Sequence, residues 1–219
     1  MTDPLQLFMI LKFGKNEEIM DIKTLDLQNT NCYLISTGKS AIVIDPGYKS
    51  IEAQDFLKNN KDKERLILIT HAHFDHIGDA ERLRRECDVK IAIGEFDNPA
   101  LSDNVINEGA RFDILTEPFS ADILIKDQDE ISVGDIKIKA FHTEGHTIGG
   151  MCFLINNILF SGDILFYRGF GNTCFHGGNR RKIFESLTMI FNSFPYDTVV
   201  YPGHGPKTTV GNEKTYYGR

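Results

Sequence analysis

Leu66-Ile67-Leu68-Ile69-Thr70-His71-Ala72-His73-Phe74-Asp75-His76 joins a short apolar run to four metal-competent side chains between positions 71 and 76. The run has the length and composition of a buried strand, and the histidines begin where it ends. In an extended segment alternate side chains share a face, so His71 and His73 can converge on one point while the chain turns after them. Asp75 and His76 stand where strand gives way to helix, which can aim them at a second point nearby. The segment therefore predicts half of one metal site and half of another. Imidazole suits zinc, iron and copper, and a carboxylate beside it argues against an all-thiolate site. Zinc is the expected metal, with iron or manganese as alternatives. A solvated or pH-responsive cluster is the weaker account, because nothing in a globular fold demands such a density of histidine at a strand end.

A metal site needs three or more protein ligands, so further His or Asp residues are expected in turns elsewhere. Phe141-His142-Thr143-Glu144-Gly145-His146-Thr147 follows the alternating strand Ile136-Lys137-Ile138-Lys139-Ala140. Ser161-Gly162-Asp163 follows the apolar run Ile158-Leu159-Phe160, and Pro202-Gly203-His204-Gly205-Pro206 follows Thr198-Val199-Val200-Tyr201. Alone, His204 or Asp163 reads as a turn residue. Four strand ends that each present a ligand-type side chain support one another.

The ordered set Thr70 to His76, Gly145-His146-Thr147, Ser161-Gly162-Asp163 and Pro202-Gly203-His204-Gly205 resembles the metallo-β-lactamase superfamily and, within it, the glyoxalase II branch. The similar stretch runs from Asn31-Cys32-Tyr33 through Ile44-Asp45-Pro46-Gly47 to Gly211. The resemblance implies an α/β (α+β) fold, an αββα sandwich of two mixed β-sheets flanked by helices. It implies two divalent ions, one held by His71, His73 and His146 and the other by Asp75, His76 and His204, with Asp163 bridging them and a water or hydroxide completing the pair. Ions about 3.5 to 4 Å apart lower the pKa of such a water toward about 7 and polarise a carbonyl, so no Ser or Cys nucleophile is required. Catalysis is then expected of Asp75, His71 and His73, with Asp75 also placed to orient the nucleophile and take its proton. His142 occupies a position where the family carries a histidine that is no primary ligand, and is expected at the strand end or behind the ligands.

Beyond Asp163, the glycine-rich stretch Tyr167 to Asn179 is expected to overhang the ions, and its Arg168, Asn172, Cys174 and His176 are candidate substrate contacts. Related short hydrolases carry an arginine near Asn172 and an aspartate near Cys174. Neither is present, which bears on substrate preference and leaves the metal ligands untouched. Glyoxalase II continues into a C-terminal helical region that helps hold glutathione, whereas this sequence ends at Arg219. The resemblance therefore points to the short single-domain hydrolases. The expected reaction is cleavage of an S-acylglutathione thioester, of the S-lactoylglutathione type, by a metal-bound hydroxide. An iron-dependent persulfide dioxygenase, using a mononuclear subset of the ligands, is the alternative of another reaction class. A lactonase or phosphodiesterase would use the same chemistry on other electrophiles. A true β-lactamase is disfavoured because its usual second site contains cysteine, and the intact ligand set argues against a non-enzymatic metal-binding module.

Composition fits one hydrolase domain over residues 1–219: 41% hydrophobic and 25% charged residues are ordinary globular usage. A net charge of -7 disfavours a general nucleic-acid binder, and Arg180-Arg181-Lys182 reads as a solvated helix start. The partner expected is a small-molecule thioester or related ester, with neither nucleic acid nor membrane. Cys32, Cys87, Cys152 and Cys174 lack CxxC spacing, and the first three lie in or beside apolar segments as free thiols would. A cytoplasmic protein is expected, since no signal peptide or membrane-length apolar run is seen.

The periodicity predicts strands at Leu7 to Phe13, Ile19 to Leu25, Cys32 to Ile35, Ala41 to Ile44, Leu66 to Ile69 and Lys90 to Ile93. Further strands are expected at Ile123 to Ile125, Ile131 to Val133, Ile136 to Phe141, Met151 to Ile155, Ile158 to Phe160 and Thr198 to Tyr201. Helices are expected at Ile51 to Lys58, along the Ile77, Ala80, Leu83, Cys87 face, and last in the chain with Ile183, Phe184, Leu187, Ile190 and Phe191 inward. Glu95 to Ser120 reads as a less regular stretch that contains helical turns and a lid.

Overall fold

A computed structural model describes residues 9–11 and 20–218 of the chain. Its first sheet sets β1 (Met9–Leu11), β2 (Met20–Leu27), β3 (Thr30–Ser36), β4 (Ser40–Ile44), β5 (Glu64–Ile69), β6 (Lys90–Gly94) and β7 (Ile123–Ile125) side by side in chain order. β1 to β4 pair antiparallel and β4 to β7 parallel. Parallel neighbours need crossovers, which α1 (Ile51–Asn59) and α3 (Ala80–Cys87) supply. The second sheet orders β13 (Thr208–Thr209), β12 (Val199–Pro202), β11 (Ile158–Gly162), β10 (Met151–Ile155), β9 (Ile136–His142) and β8 (Glu130–Val133). Only β11 and β12 are parallel in it.

Alternation along the strands decides the layers. Ile42, Ile44, Leu66 and Leu68 meet Ile136, Ile138, Phe153 and Phe160 of the other sheet in a shared core. Their neighbours Val43, Ile67 and Ile69 pack outward on Ala53 and Leu57 of α1 and Leu83 of α3. On the far side Cys152, Leu159 and Val200 pack on Ile183, Leu187 and Ile190 of α4 (Arg180–Ser193) and Val210 of α5 (Val210–Tyr217). Helix, sheet, sheet, helix is the expected αββα order. Strands buried on both faces explain why β4 and β5 read as unbroken apolar runs.

Several elements differ from the sequence reading. The helix expected directly after the histidines is two pieces: α2 (Phe74–Ile77), which carries Asp75 and His76, and α3. Gly78 separates them, and a Cβ there would lie 2.5 Å from the Tyr48 ring. α4 is not the last helix. α5 has no pronounced apolar stripe to announce it and is fixed locally, by the Thr209 side chain accepting from Asn212 N and by buried Glu213 accepting from Thr208 at 2.6 Å. Phe184 is 41% exposed, because the inward face of α4 uses Ile183, Ser186, Leu187 and Ile190 at helical spacing. The helical turns expected in Glu95 to Ser120 are present, as two 3-10 turns, Asn98–Ser102 and Gly109–Phe112. Of the strand expected at Leu7 to Phe13 only Met9–Leu11 is described; the other positions, and Ile19, lie outside the described residues.

Candidate metal centre

The ligand-type residues share one edge of the sandwich because the strands that deliver them run the same way. β9, β11 and β12 point their C-terminal ends to that edge, and β5 joins them where Met151 N donates to Thr70 O at 2.8 Å. His71 and His73 follow β5, and α2 presents Asp75 and His76. His146 sits in the loop after β9, Asp163 directly after β11, and His204 after β12.

These seven side chains are brought together as three overlapping groups: His71, His73 and His146; His71, His76 and Asp163; and Asp75, His76 and His204. Within each group the ligand-type atoms lie within 4.8 Å of one another. His71 Nε2 is 3.1 Å from His73 Nδ1, and His76 Nε2 is 3.4 Å from His204 Nε2. Asp163 lies between the histidine groups, Oδ2 at 3.3 Å from both His146 Nε2 and His204 Nε2 and Oδ1 at 3.5 Å from His76 Nε2. Gly203 permits this approach, since a Cβ there would stand 2.1 Å from Asp163 Oδ1. The donor set fits divalent ions. His146 Nε2 and Asp163 Oδ1 are buried without a hydrogen bond, a cost that ligation removes.

Outer partners orient the ligands through their other atoms. His76 Nδ1 lies 2.9 Å from Asp45 Oδ2, His204 Nδ1 2.7 Å from Asn29 O, and His146 Nδ1 2.7 Å from Asn172 O. Thr30 donates to Asp75 Oδ2 at 2.8 Å. Asp45 also accepts from Thr70 N and Oγ1, at 2.8 and 2.6 Å, which pins the residue ahead of His71. Asp97 is buried and ties two ligand loops together, accepting from Ala72 N at 3.1 Å, Thr147 Oγ1 at 2.8 Å and Gly149 N at 2.6 Å.

Burial and neighbouring imidazoles push the His71 pKa far down, and burial with His146 does the same to His73, so both are neutral and ready to ligate. His76 goes the other way. Burial pulls its pKa down, but Asp75, Asp45 and Asp163 together raise it to about 10. Burial would also raise the Asp163 carboxyl, yet His146, His76 and His204 hold it well below the carboxylate range.

Two predictions follow from these groups. Chelator-stripped protein carries a proton on His76 at neutral pH, so metal loading in weakly buffered solution should release it to an indicator dye. The release should vanish when loading is repeated above about pH 10. By linkage, His76 stabilises the stripped protein fully below its unfolded pKa near 6.5, and that share is lost as pH rises through about 10. His142 lies outside the cluster, with Nε2 2.8 Å from Ile148 O and its ring on Phe96. His142→Ala should therefore keep both ions by elemental analysis, whereas His71→Ala should lose metal.

The four candidate substrate contacts are not gathered at one point. Arg168 lies over the rings of Tyr167 and Tyr216, beside α5. Asn172 gives its main-chain carbonyl to His146, while its side chain accepts from Cys174 N at 2.9 Å. Cys174 is exposed, and the other three cysteines are buried and free. His176 N donates to Glu108 at 2.6 Å, and Phe175 beside it stacks edge-on to His73, so this loop meets the 95–120 segment over the three-histidine group. Thr30, Asn29 and Asp97 went unsuspected from the sequence, and Asp45 entered only as part of the stretch that carries the resemblance. Only Asp45 left a signal, in the Ile44-Asp45-Pro46-Gly47 stretch.

Residues 25–204 match the family model of the metallo-beta-lactamase superfamily. The chain is similar to hydroxyacylglutathione hydrolase GloC of Haemophilus influenzae, 29% identical over 192 residues that cover 84% of this chain and 89% of the relative. In three dimensions it is similar to the B3 metallo-beta-lactamase BLEG-1 (TM-score 0.79, 32% identity, 89% of this chain and 96% of that one). It is also similar to the di-iron-bound form of TTHA1623 (TM-score 0.73, 27% identity, 94% and 96%). Among the described residues no helix is long and apolar enough to cross a membrane.

Proposed function

Because the chain belongs to the metallo-beta-lactamase superfamily, we propose that it is a two-ion hydrolase of acyl thioesters, with an S-acylglutathione of the S-lactoylglutathione type as substrate. One observation carries the two-ion reading: Asp163 sets both carboxylate oxygens between the histidines of the two groups. His71, His73 and His146 hold one ion, Asp75, His76 and His204 the other, and Asp163 binds both. The thioester is supported by the similarity to GloC.

Bound there, two divalent ions activate water near neutral pH and polarise a carbonyl. The residues supply the rest. Asp75 is partly exposed at the cleft, and the Thr30 hydroxyl fixes its Oδ2, so it orients the attacking water and takes its proton. Asp45 and the carbonyls of Asn29 and Asn172 hold His76, His204 and His146 in one tautomer each, which removes a reorientation cost from every turnover. Zinc suits this donor set, and iron is the alternative supported by the likeness to the di-iron protein. Four free cysteines support a reducing compartment, the cytoplasm.

The test is elemental analysis of the purified protein together with S-lactoylglutathione hydrolysis before and after chelation. Two ions per chain with chelator-sensitive turnover are expected. One iron with oxygen-dependent persulfide oxidation would move the protein to another reaction class.

A further inference from the structure

Beside the three-histidine group lies a cavity of about 200 Å³. Its walls are apolar: Ala72, Phe96, Pro99, Ala100, Ile106 and Ile148. Asp97 and Thr147 also line it, but both are spent on the bonds that tie the ligand loops together, and the exposed His176 adds an imidazole. Phe96 and Ile148 remain 57% and 47% exposed, which gives the cavity an apolar mouth. His73 joins it to the metal centre, and among the described lining residues His73 Nε2 is the one buried polar atom without a hydrogen bond. The polar end of an occupant therefore belongs at His73 and the apolar end beyond it.

We infer that this cavity is an acyl pocket, and that among S-acylglutathiones the protein also cleaves, with high efficiency, those that carry a straight apolar acyl chain of about four to six carbons. This rests on the thioesterase reading above. The size follows from volume: a cavity of about 150 Å³ lined by aliphatic residues holds benzene, and this one is somewhat larger. The chemistry follows from the lining, in which six of the ten residues are apolar and the polar side chains left free are His73 and the exposed His176. A polar glutathione moiety fits such walls poorly, so the thiol side of the substrate lies outside.

The experiment compares acetyl-, butyryl-, hexanoyl- and S-lactoylglutathione on the metal-loaded protein, reading thiol release. Each methylene taken into the cavity should raise kcat/KM by about twofold to fourfold, so hexanoylglutathione, with four more of them, should exceed acetylglutathione by at least about tenfold. Ala100→Leu fills the cavity and should erase that preference by lowering turnover of hexanoylglutathione more than that of acetylglutathione. Ile106→Ala enlarges the cavity and should move the optimum to a longer chain, which keeps the test sound if Ala100→Leu fails to fold. Hydrolysis of all four at similar kcat/KM, or equal losses on short and long chains in Ala100→Leu, would overturn the pocket and leave the thioesterase reading intact. Hydrolysis of none of the four would overturn both.

Discussion

Asp163→Ala is expected to strip both ions from the purified protein and to lower hydrolysis by more than the about 10–100-fold that loss of an outer partner costs. Asp163 is the one carboxylate between the groups, 3.3 Å from His146 and His204 and 3.5 Å from His76. On the two-ion reading, removing it takes a ligand from each ion at once. It also takes the nearest counter-charge from His146, while His76 and His204 keep only Asp75 and Asp45, so an ion returning to either group meets a poorer set of donors. Asp163→Asn separates the two effects, since the amide keeps the shape and loses the charge. Elemental analysis with single-turnover hydrolysis checks this, and a variant retaining two ions would overturn the bridging role.

Asp45→Ala should destabilise the fold by about 3–5 kcal/mol, the cost of removing one partner from a buried ion pair. Both members are buried, with His76 0% and Asp45 1% exposed. Asp45 accepts from Thr70 N, from Thr70 Oγ1 and from His76, so its loss frees the strand end that carries His71 and unpairs a buried histidine. Its backbone adds to this, because Asp45 sits at φ +50, a left-handed conformation that Asp and Asn tolerate better than Ala. Asp45→Asn removes the charge and spares the backbone, and should weaken metal affinity by about 10–100-fold with a smaller loss of stability. Urea melts of stripped and metal-loaded protein measure both effects. A loss below about 1 kcal/mol in Asp45→Ala would mean that the pair is not the anchor of the strand end.

The two sheets were legible because side chains on strands alternate. Ile136, Ile138 and Ala140 mark one face of β9, and the unbroken runs of β4 and β5 mark strands covered on both sides. The ligand residues were legible because they are rare, polar and set at strand ends. α5 was not, since its position is fixed by the Thr209 cap and by buried Glu213 rather than by an apolar stripe. Phe184 misled because helix periodicity tolerates an apolar residue at the flank, and its ring lies against Phe170 instead of in the core.

By itself the sequence determined the αββα class, the strand ends that carry ligand-type side chains and the identity of those seven residues, since each depends only on local pattern and residue chemistry. Only the tertiary structure decided that Asp163 lies between the histidine groups, that Asn29 and Asn172 act through main-chain carbonyls, that Asp97 clasps two loops and that an apolar cavity opens beside His73. A carbonyl belongs to every residue and so leaves no mark in the sequence. A cavity is a property of surfaces brought together from distant segments, which no single segment contains.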